Sequence, residues 1–272
     1  MIKISKYQGL GNDFIICDDE KLLEYDFSKL AQILCNNKKT GKTDGFIFVK
    51  KKPLTMFFYN QDGSIGTMCG NGLRCFVKYC YDNGIIKKLE NDVITKAGTY
   101  KTQIINKEPF IVKVQMGKPN FSSSFLKIKT DLNEYINQEY IYNEKSYKLT
   151  SLFMGTHHTV VFINSLEELT EELGHTLCHL SIFDDRTNVD FVVVKNEKEL
   201  HVKTYERGVG YTQACGTGAC ASFVVASMFG LCSNDVEVHF ELGSLKINES
   251  NGEIYMQGPA EKILSDVLYI EE

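Results

Sequence analysis

Residues 67–75 read TMCGNGLRC, and residues 213–220 read QACGTGAC. Each segment places a cysteine directly before Gly-x-Gly, and a run with helical spacing follows. Glycines beside the cysteine let backbone N–H groups turn toward a ligand, because no side chain stands in the way. The pattern therefore predicts two helices that begin near Cys69 and Cys215, each with a sulfur at its N-terminus.

The two segments belong to a longer internal repeat. Cys69 and Cys215 are 146 residues apart, and the same shift relates several glycine and polar positions. The related pairs are Gly9 with Gly155, Asn12 with His158, Asp44 with Asp190, Asn60 with Glu206, Gly70 with Gly216, and Gly72 with Gly218. A repeat of this length is far longer than a solenoid unit, so it indicates two related domains.

Runs that resemble strands outnumber helical ones, and one long helical run follows each Cys-Gly-x-Gly. We therefore predict an α+β fold with two pseudo-symmetric domains, each a curved mixed β-sheet or barrel around a central helix. The first domain is placed at residues 1–118 and the second at 119–261, which opens with the linker PNFSSSF. Residues 262–272 are expected to return to the first domain.

Composition narrows the class of protein. The chain has 272 residues and a net charge of −5 at pH 7, which argues against non-specific nucleic-acid binding because that requires a basic face. No apolar run approaches the ~20 residues that span a membrane, and the N-terminus lacks the sections of a signal peptide. We predict a cytoplasmic protein that binds neither nucleic acid nor membrane.

Nine cysteines are present, an odd number that does not fit a disulfide framework in a reducing compartment. The spacings around Cys69 and Cys215 match no zinc site, so no metal is predicted. Most of the other cysteines lie among apolar neighbours and are interpreted as small core residues.

A helix N-terminus carries unpaired N–H donors and a partial positive charge, so it attracts carboxylates and stabilises a thiolate. Two such termini could bind one carboxylate and set a sulfur on each side of its α-carbon, one as thiolate base and the other as thiol acid. The alternatives are a tight turn without chemistry, and a cysteine hydrolase that uses Cys215 with His158. The hydrolase interpretation leaves Cys69 without a role.

Four segments, GLGNDF, NQDGSIGTMCGNGLRC, RTNVDFV and ERGVGYTQACGTGACA, resemble the signature segments of the diaminopimelate epimerase family. The resemblance covers nearly the whole chain. It implies a racemase or epimerase without pyridoxal phosphate or any other cofactor, with the active site between its two domains. It also implies a free amino acid as substrate and a homodimer as the assembly.

The resemblance assigns the roles of single residues. Cys69 and Cys215 would be the two acid–base residues, and His158 and Glu206 would contact the reacting end. The full set of implied substrate-binding residues is Asn12, Asn60, Gly70, Asn71, Thr156, His158, Asn188, Glu206, Arg207, Gly216 and Thr217.

Three positions depart from the family pattern on the side that holds the far end of the substrate. Thr156 replaces an asparagine, His157 a proline and Tyr211 a glutamate. Losing a hydrogen bond to a charged group costs about 1.5–3 kcal/mol. The three departures therefore slightly favour a substrate amino acid with a single stereocentre, such as histidine. The alternatives are an ordinary diaminopimelate epimerase, which interconverts the LL and meso forms, and more remotely a non-catalytic amino-acid-binding protein.

Overall fold

The computed structural model describes residues 2–268, which divide into two compact units. The first unit holds residues 2–115 and 257–268, and the second holds Met116–Met256. Over the described residues no helix is both long and apolar enough to cross a lipid bilayer. Within the same part of the chain, no two cysteines form a disulfide, and no three His, Cys, Asp or Glu side chains gather as a metal site requires.

The first unit begins with eight strands and two helices. The strands are β1 (Ile2–Gly9), β2 (Asn12–Cys17), β3 (Gly45–Lys50), β4 (Thr55–Asn60), β5 (Ile65–Gly66), β6 (Glu90–Thr95), β7 (Gly98–Lys107) and β8 (Phe110–Gly117), the last of which crosses the unit boundary. The helices are α1 (Phe27–Cys35) and α2 (Gly70–Asp82), and a 3-10 turn covers Glu20–Glu24. Helix α2 lies against β1, β2, β3 and β4, so it is the central helix of this unit.

The second unit repeats this order of elements after one additional strand at its start. Its strands are β9 (Gln138–Tyr142), β10 (Lys145–Phe153), β11 (His157–Phe162), β12 (Asn188–Asn196), β13 (Glu199–Glu206), β14 (Gly210–Tyr211), β15 (Asp235–Phe240), β16 (Gly243–Ser250) and β17 (Glu253–Pro259), the last of which reaches the boundary. The helices are α3 (Glu171–Cys178) and α4 (Gly216–Met228), and a 3-10 turn covers Leu166–Glu168. Helix α4 lies against β10, β11, β12, β13, β15 and β16.

The sequence repeat is therefore also a structural repeat. Helices α2 and α4 begin and end at residues 146 positions apart. In the first unit β2 pairs in parallel with β3, and β4 with β6. The second unit has the matching parallel pairs, β11 with β12 and β13 with β15, among antiparallel neighbours. These mixed sheets around a central helix confirm the predicted fold class, although the sheets are open and do not close into barrels.

The last described strand, β18 (Glu261–Leu268), pairs antiparallel with β1, from Gln8 opposite Glu261 to Ile2 opposite Leu268. The predicted return of residues 262–272 includes 269–272, which lie outside the described residues.

The sequence of helix α4 explains its burial. Its sequence, GTGACASFVVASM, is apolar or small on every side, and a helix without a polar face is stable only in the interior. All positions from Gly216 to Ala226 are buried. Small Gly, Ala and Ser side chains in the first turns let the strands approach the helix closely. This close approach brings polar side chains of the strands to the N-terminus of the helix.

Candidate active site

Cys215 occupies the N-cap of α4. Its backbone is extended, with φ −128° and ψ 111°, and its sulfur accepts a hydrogen bond from the Gly218 N–H at 3.3 Å. Only 7% of the residue is exposed. Burial raises the pKa of the Cys215 thiol well above its ordinary value, and the nearby Glu206 and Asp190 carboxylates raise it further. Both effects favour the neutral thiol of Cys215 over its thiolate.

Cys69 has the same local geometry in the first unit. It is the N-cap of α2, with φ −141° and ψ 112°, and its sulfur accepts from the Gly72 N–H at 3.3 Å. Unlike Cys215, it is partly exposed. The predicted carboxylate-binding residues Gly70, Asn71, Gly216 and Thr217 form the first turns of α2 and α4, where backbone N–H groups have no partner within the helix.

A buried chain of hydrogen bonds leads from Cys215 into the second unit. Thr217 Oγ1 lies 3.4 Å from Cys215 Sγ and 3.0 Å from His158 Nε2. His158 Nδ1 lies 2.7 Å from Asp190 Oδ2, and the Thr204 hydroxyl donates to Asp190 Oδ1 at 2.8 Å. His158 and Asp190 are fully buried. The imidazole thus bonds the Thr217 hydroxyl, which stands between it and the sulfur, and this does not favour a Cys–His hydrolase dyad.

The first unit has a shorter chain of hydrogen bonds at the matching positions, with different chemistry. Asn71 Nδ2 donates to Asn12 Oδ1, and Asn12 Nδ2 donates to Asp44 Oδ2 at 3.4 Å. Asp44 also accepts from the Asp13 N–H at 2.8 Å and is exposed. Amides therefore take the places of the imidazole and the hydroxyl, so this chain has no titratable group between the carboxylate and the helix.

Asp190 was not among the predicted site residues. Its sequence signal was present, because Asp44 and Asp190 are partners in the 146-residue repeat. The sequence could not reveal that Asp190 is buried while Asp44 is exposed. The hydrogen bonds of the two carboxylates also differ. Asp190 bonds His158 and Thr204, whereas Asp44 bonds Asn12 and the Asp13 N–H.

Glu206 and Asn60 also occupy matching positions. The Thr212 hydroxyl donates to Glu206 Oε1 at 2.8 Å, and burial raises the pKa of Glu206. Asn60 Nδ2 donates to Ser64 Oγ at 2.9 Å. Glu206 and Cys215 are neighbours, because each of them shifts the pKa of the other.

Arg207 organises a second group in the same unit. Its Nη2 donates to Thr156 Oγ1 at 3.1 Å, and its Nη1 donates to the Asp185 carbonyl at 3.0 Å. The Arg207 backbone N–H donates to Asn188 Oδ1 at 3.0 Å. Thr156 therefore keeps a polar contact with the guanidinium despite replacing an asparagine. The structure brings together Thr156, Asn188 and Arg207.

His157 and Tyr211, the other two departures from the family pattern, lie in different surroundings. His157 makes an edge-to-face contact with Phe153 at 5.8 Å, and burial together with the Arg207 guanidinium lowers the pKa of its imidazole. Tyr211 instead packs against Tyr205 at 5.1 Å, and its hydroxyl donates to the Thr170 carbonyl at 3.0 Å. Tyr211 thus belongs to the packing around α3, so it is not evidence for a rebuilt substrate site.

Comparison with known proteins supports the family resemblance of the four signature segments. The family model described as Diaminopimelate epimerase matches residues 4–122 and 150–263. A diaminopimelate epimerase from Caldanaerobacter subterraneus subsp. tengcongensis is 39% identical over 269 residues, covering 96% of this chain and 97% of the relative.

Solved structures share the fold at low identity. A Bacillus anthracis phenazine biosynthesis protein of the PhzF family has a TM-score of 0.70 at 14% identity, with 99% of each chain covered. A probable proline racemase from Agrobacterium radiobacter K84 has a TM-score of 0.68 at 12% identity, covering 100% of this chain and 94% of the other. With both central helices capped by cysteine and the family match spanning both units, the chain belongs to the diaminopimelate epimerase family of isomerases.

Proposed function

We propose that the protein interconverts LL- and meso-diaminopimelate in the cytoplasm, as a homodimer and without a cofactor. The observation that carries the substrate assignment is the guanidinium of Arg207, which Thr156 and the Asp185 carbonyl hold in place. A fixed, partly buried guanidinium suits a substrate that bears a second carboxylate, because it can form two parallel hydrogen bonds with it. Diaminopimelate has that carboxylate, and histidine does not.

The proposed reaction removes a proton from one face of the α-carbon and delivers a proton to the opposite face. The thiolate of one cysteine takes the α-proton and becomes a thiol, while the thiol of the other delivers its proton to the opposite face and becomes a thiolate. Cys69 and Cys215 exchange roles for the reverse direction. The first turns of α2 and α4 supply N–H donors for the reacting carboxylate, and this electrostatic stabilisation lowers the barrier to forming the carbanion.

A substrate with a single stereocentre, such as histidine, has less support than diaminopimelate. Of the three departures, Thr156 still bonds Arg207, and Tyr211 packs against α3. Only His157 remains as a candidate for contact with an imidazole substrate. The named relative is a diaminopimelate epimerase, which further favours diaminopimelate.

The proposal is tested by deuterium incorporation at the α-carbon. Reduced protein is incubated in D2O with LL-diaminopimelate, lanthionine, L-histidine and other L-amino acids, and proton NMR and chiral analysis follow. We expect exchange and inversion chiefly with diaminopimelate. Efficient exchange of histidine with none of diaminopimelate would overturn the substrate assignment, and exchange with no amino acid would favour a non-catalytic binding protein.

Arg207→Gln tests the carboxylate contact. Because a neutral amide replaces the charged guanidinium, with a net loss of about 1.5–3 kcal/mol, we expect KM for diaminopimelate to rise about 10- to 100-fold. Any slow turnover of amino acids without a second carboxylate should be unaffected. Arg186→Gln is the matched control, because Arg186 is an exposed arginine in the same unit. Equal KM changes in the two variants would contradict a specific contact at Arg207.

A further inference from the structure

Asp190 is a residue of the second unit to which the proposed reaction assigns no role. It is a fully buried carboxylate next to the N-terminus of α4; its Oδ2 lies 2.7 Å from His158 Nδ1, and its Oδ1 accepts a hydrogen bond from the Thr204 hydroxyl. Gly218 makes this approach possible, because a Cβ at that position would lie 2.4 Å from Asp190 Oδ1. A buried carboxylate is costly unless it is hydrogen-bonded, so both contacts are needed.

The direction of each hydrogen bond in the chain follows from this carboxylate. An ionised carboxylate only accepts hydrogen bonds, so the His158 hydrogen must be on Nδ1. In the neutral imidazole, Nε2 is then an acceptor, and the Thr217 hydroxyl donates to it. Because the Thr217 hydroxyl donates its hydrogen to His158, Thr217 Oγ1 can only accept a hydrogen bond from Cys215. It therefore bonds the Cys215 thiol and not the thiolate, which has no hydrogen to donate.

We propose that Asp190 is a positioning residue that fixes the tautomer of His158 and thereby turns the Thr217 hydroxyl so that Cys215 rests as a thiol. Asp190 acts through His158 and Thr217 and touches no reacting atom. The proposal rests on the proposed function, since it explains why Cys215 is ready to act as the acid.

The first unit supplies the contrast that makes this role specific. There Asp44 faces the amide of Asn12, and an amide has no tautomers to select. Asp44 is also exposed, so solvent can replace its contacts. The orienting effect is therefore expected at Cys215 and not at Cys69, which makes the two halves of the repeat chemically unequal.

The test is the tautomer of His158, measured by two-bond proton–nitrogen NMR on the full chain with 15N-labelled histidine. The His158 signals are assigned by their loss in His158→Asn. We expect wild-type protein to show one neutral tautomer with hydrogen on Nδ1, and Asp190→Asn to lose this preference. Hydrogen on Nε2 in the wild type, an imidazolium at neutral pH, or an unchanged tautomer in a folded Asp190→Asn would each overturn the proposal.

Two further measurements separate this inference from its alternatives. Asp190→Asn should lower kcat by at least about 10²-fold, as expected when a buried carboxylate no longer fixes a catalytic tautomer. Asp44→Asn, its repeat partner, should leave the His158 spectrum unchanged and cause a much smaller loss of kcat, and equal losses would overturn the specific role of Asp190. If Asp190→Asn does not fold, the wild-type spectrum alone decides. The tautomer needs no substrate, so an error in the proposed function would leave this result standing.

Discussion

Cys215→Ala is expected to lower kcat for diaminopimelate epimerisation by about 10²- to 10⁴-fold, the range that a positioned proton donor or acceptor contributes. Inversion requires a proton on one face and a base on the other, and the variant lacks one of the two. Cys69 can still remove and return a proton on its own face. We therefore expect Cys215→Ala to exchange the α-proton of one isomer with D2O without inverting it, and Cys69→Ala to exchange only the other isomer.

The control is Cys232→Ala. Cys232 is a partly buried cysteine of the same unit, and its sulfur donates weakly to the Phe223 carbonyl at 3.9 Å. Its removal should leave kcat and KM unchanged, which separates loss of a catalytic thiol from loss of any cysteine. Wild-type turnover in Cys215→Ala, or exchange of the same isomer by both single variants, would contradict the two-base mechanism.

Gly218→Ala is expected to lower the free energy of unfolding by about 3 kcal/mol, because it breaks the hydrogen bonds that satisfy a buried carboxylate. The added Cβ would lie 2.4 Å from Asp190 Oδ1 and 2.8 Å from Thr204 Oγ1. Asp190 has no exposed surface, so it can move only by breaking its bonds to His158 and Thr204. The loss should appear as a lower urea midpoint with an unchanged m-value, together with a lower kcat.

Gly72→Ala is the matched variant in the first unit. Its Cβ would meet Ile47 Cδ1 at 3.3 Å, the end of a flexible side chain, and the sulfur and Cβ of its own N-cap Cys69 at 3.4–3.5 Å. Alanine is also preferred over glycine inside a helix by up to about 1 kcal/mol. We expect a change below about 1 kcal/mol. Equal destabilisation by Gly72→Ala and Gly218→Ala would show that close approach to Asp190 is not the cause.

Features that local patterns encode could be predicted from the sequence alone. Two cysteines before Gly-x-Gly and an apolar run predicted the starts of α2 and α4, and both helices begin at the next residue, Gly70 and Gly216. A constant shift of 146 residues predicted the duplicated fold, because matching residues in matching order form the same elements. Family membership followed from the same segments. These inferences succeed because caps and periodicity are properties of residues close together in the chain.

The contacts of the site residues could not be predicted from the sequence and became known from the folded structure. Tyr211 and Thr156 both departed from the family pattern, yet one packs on α3 and bonds Thr170 while the other bonds Arg207. The partners are 41 and 51 residues apart. Likewise, Asp44 and Asp190 match in the repeat, but only Asp190 is buried. Burial and side-chain partners depend on which distant elements pack together, and no local pattern carries that information.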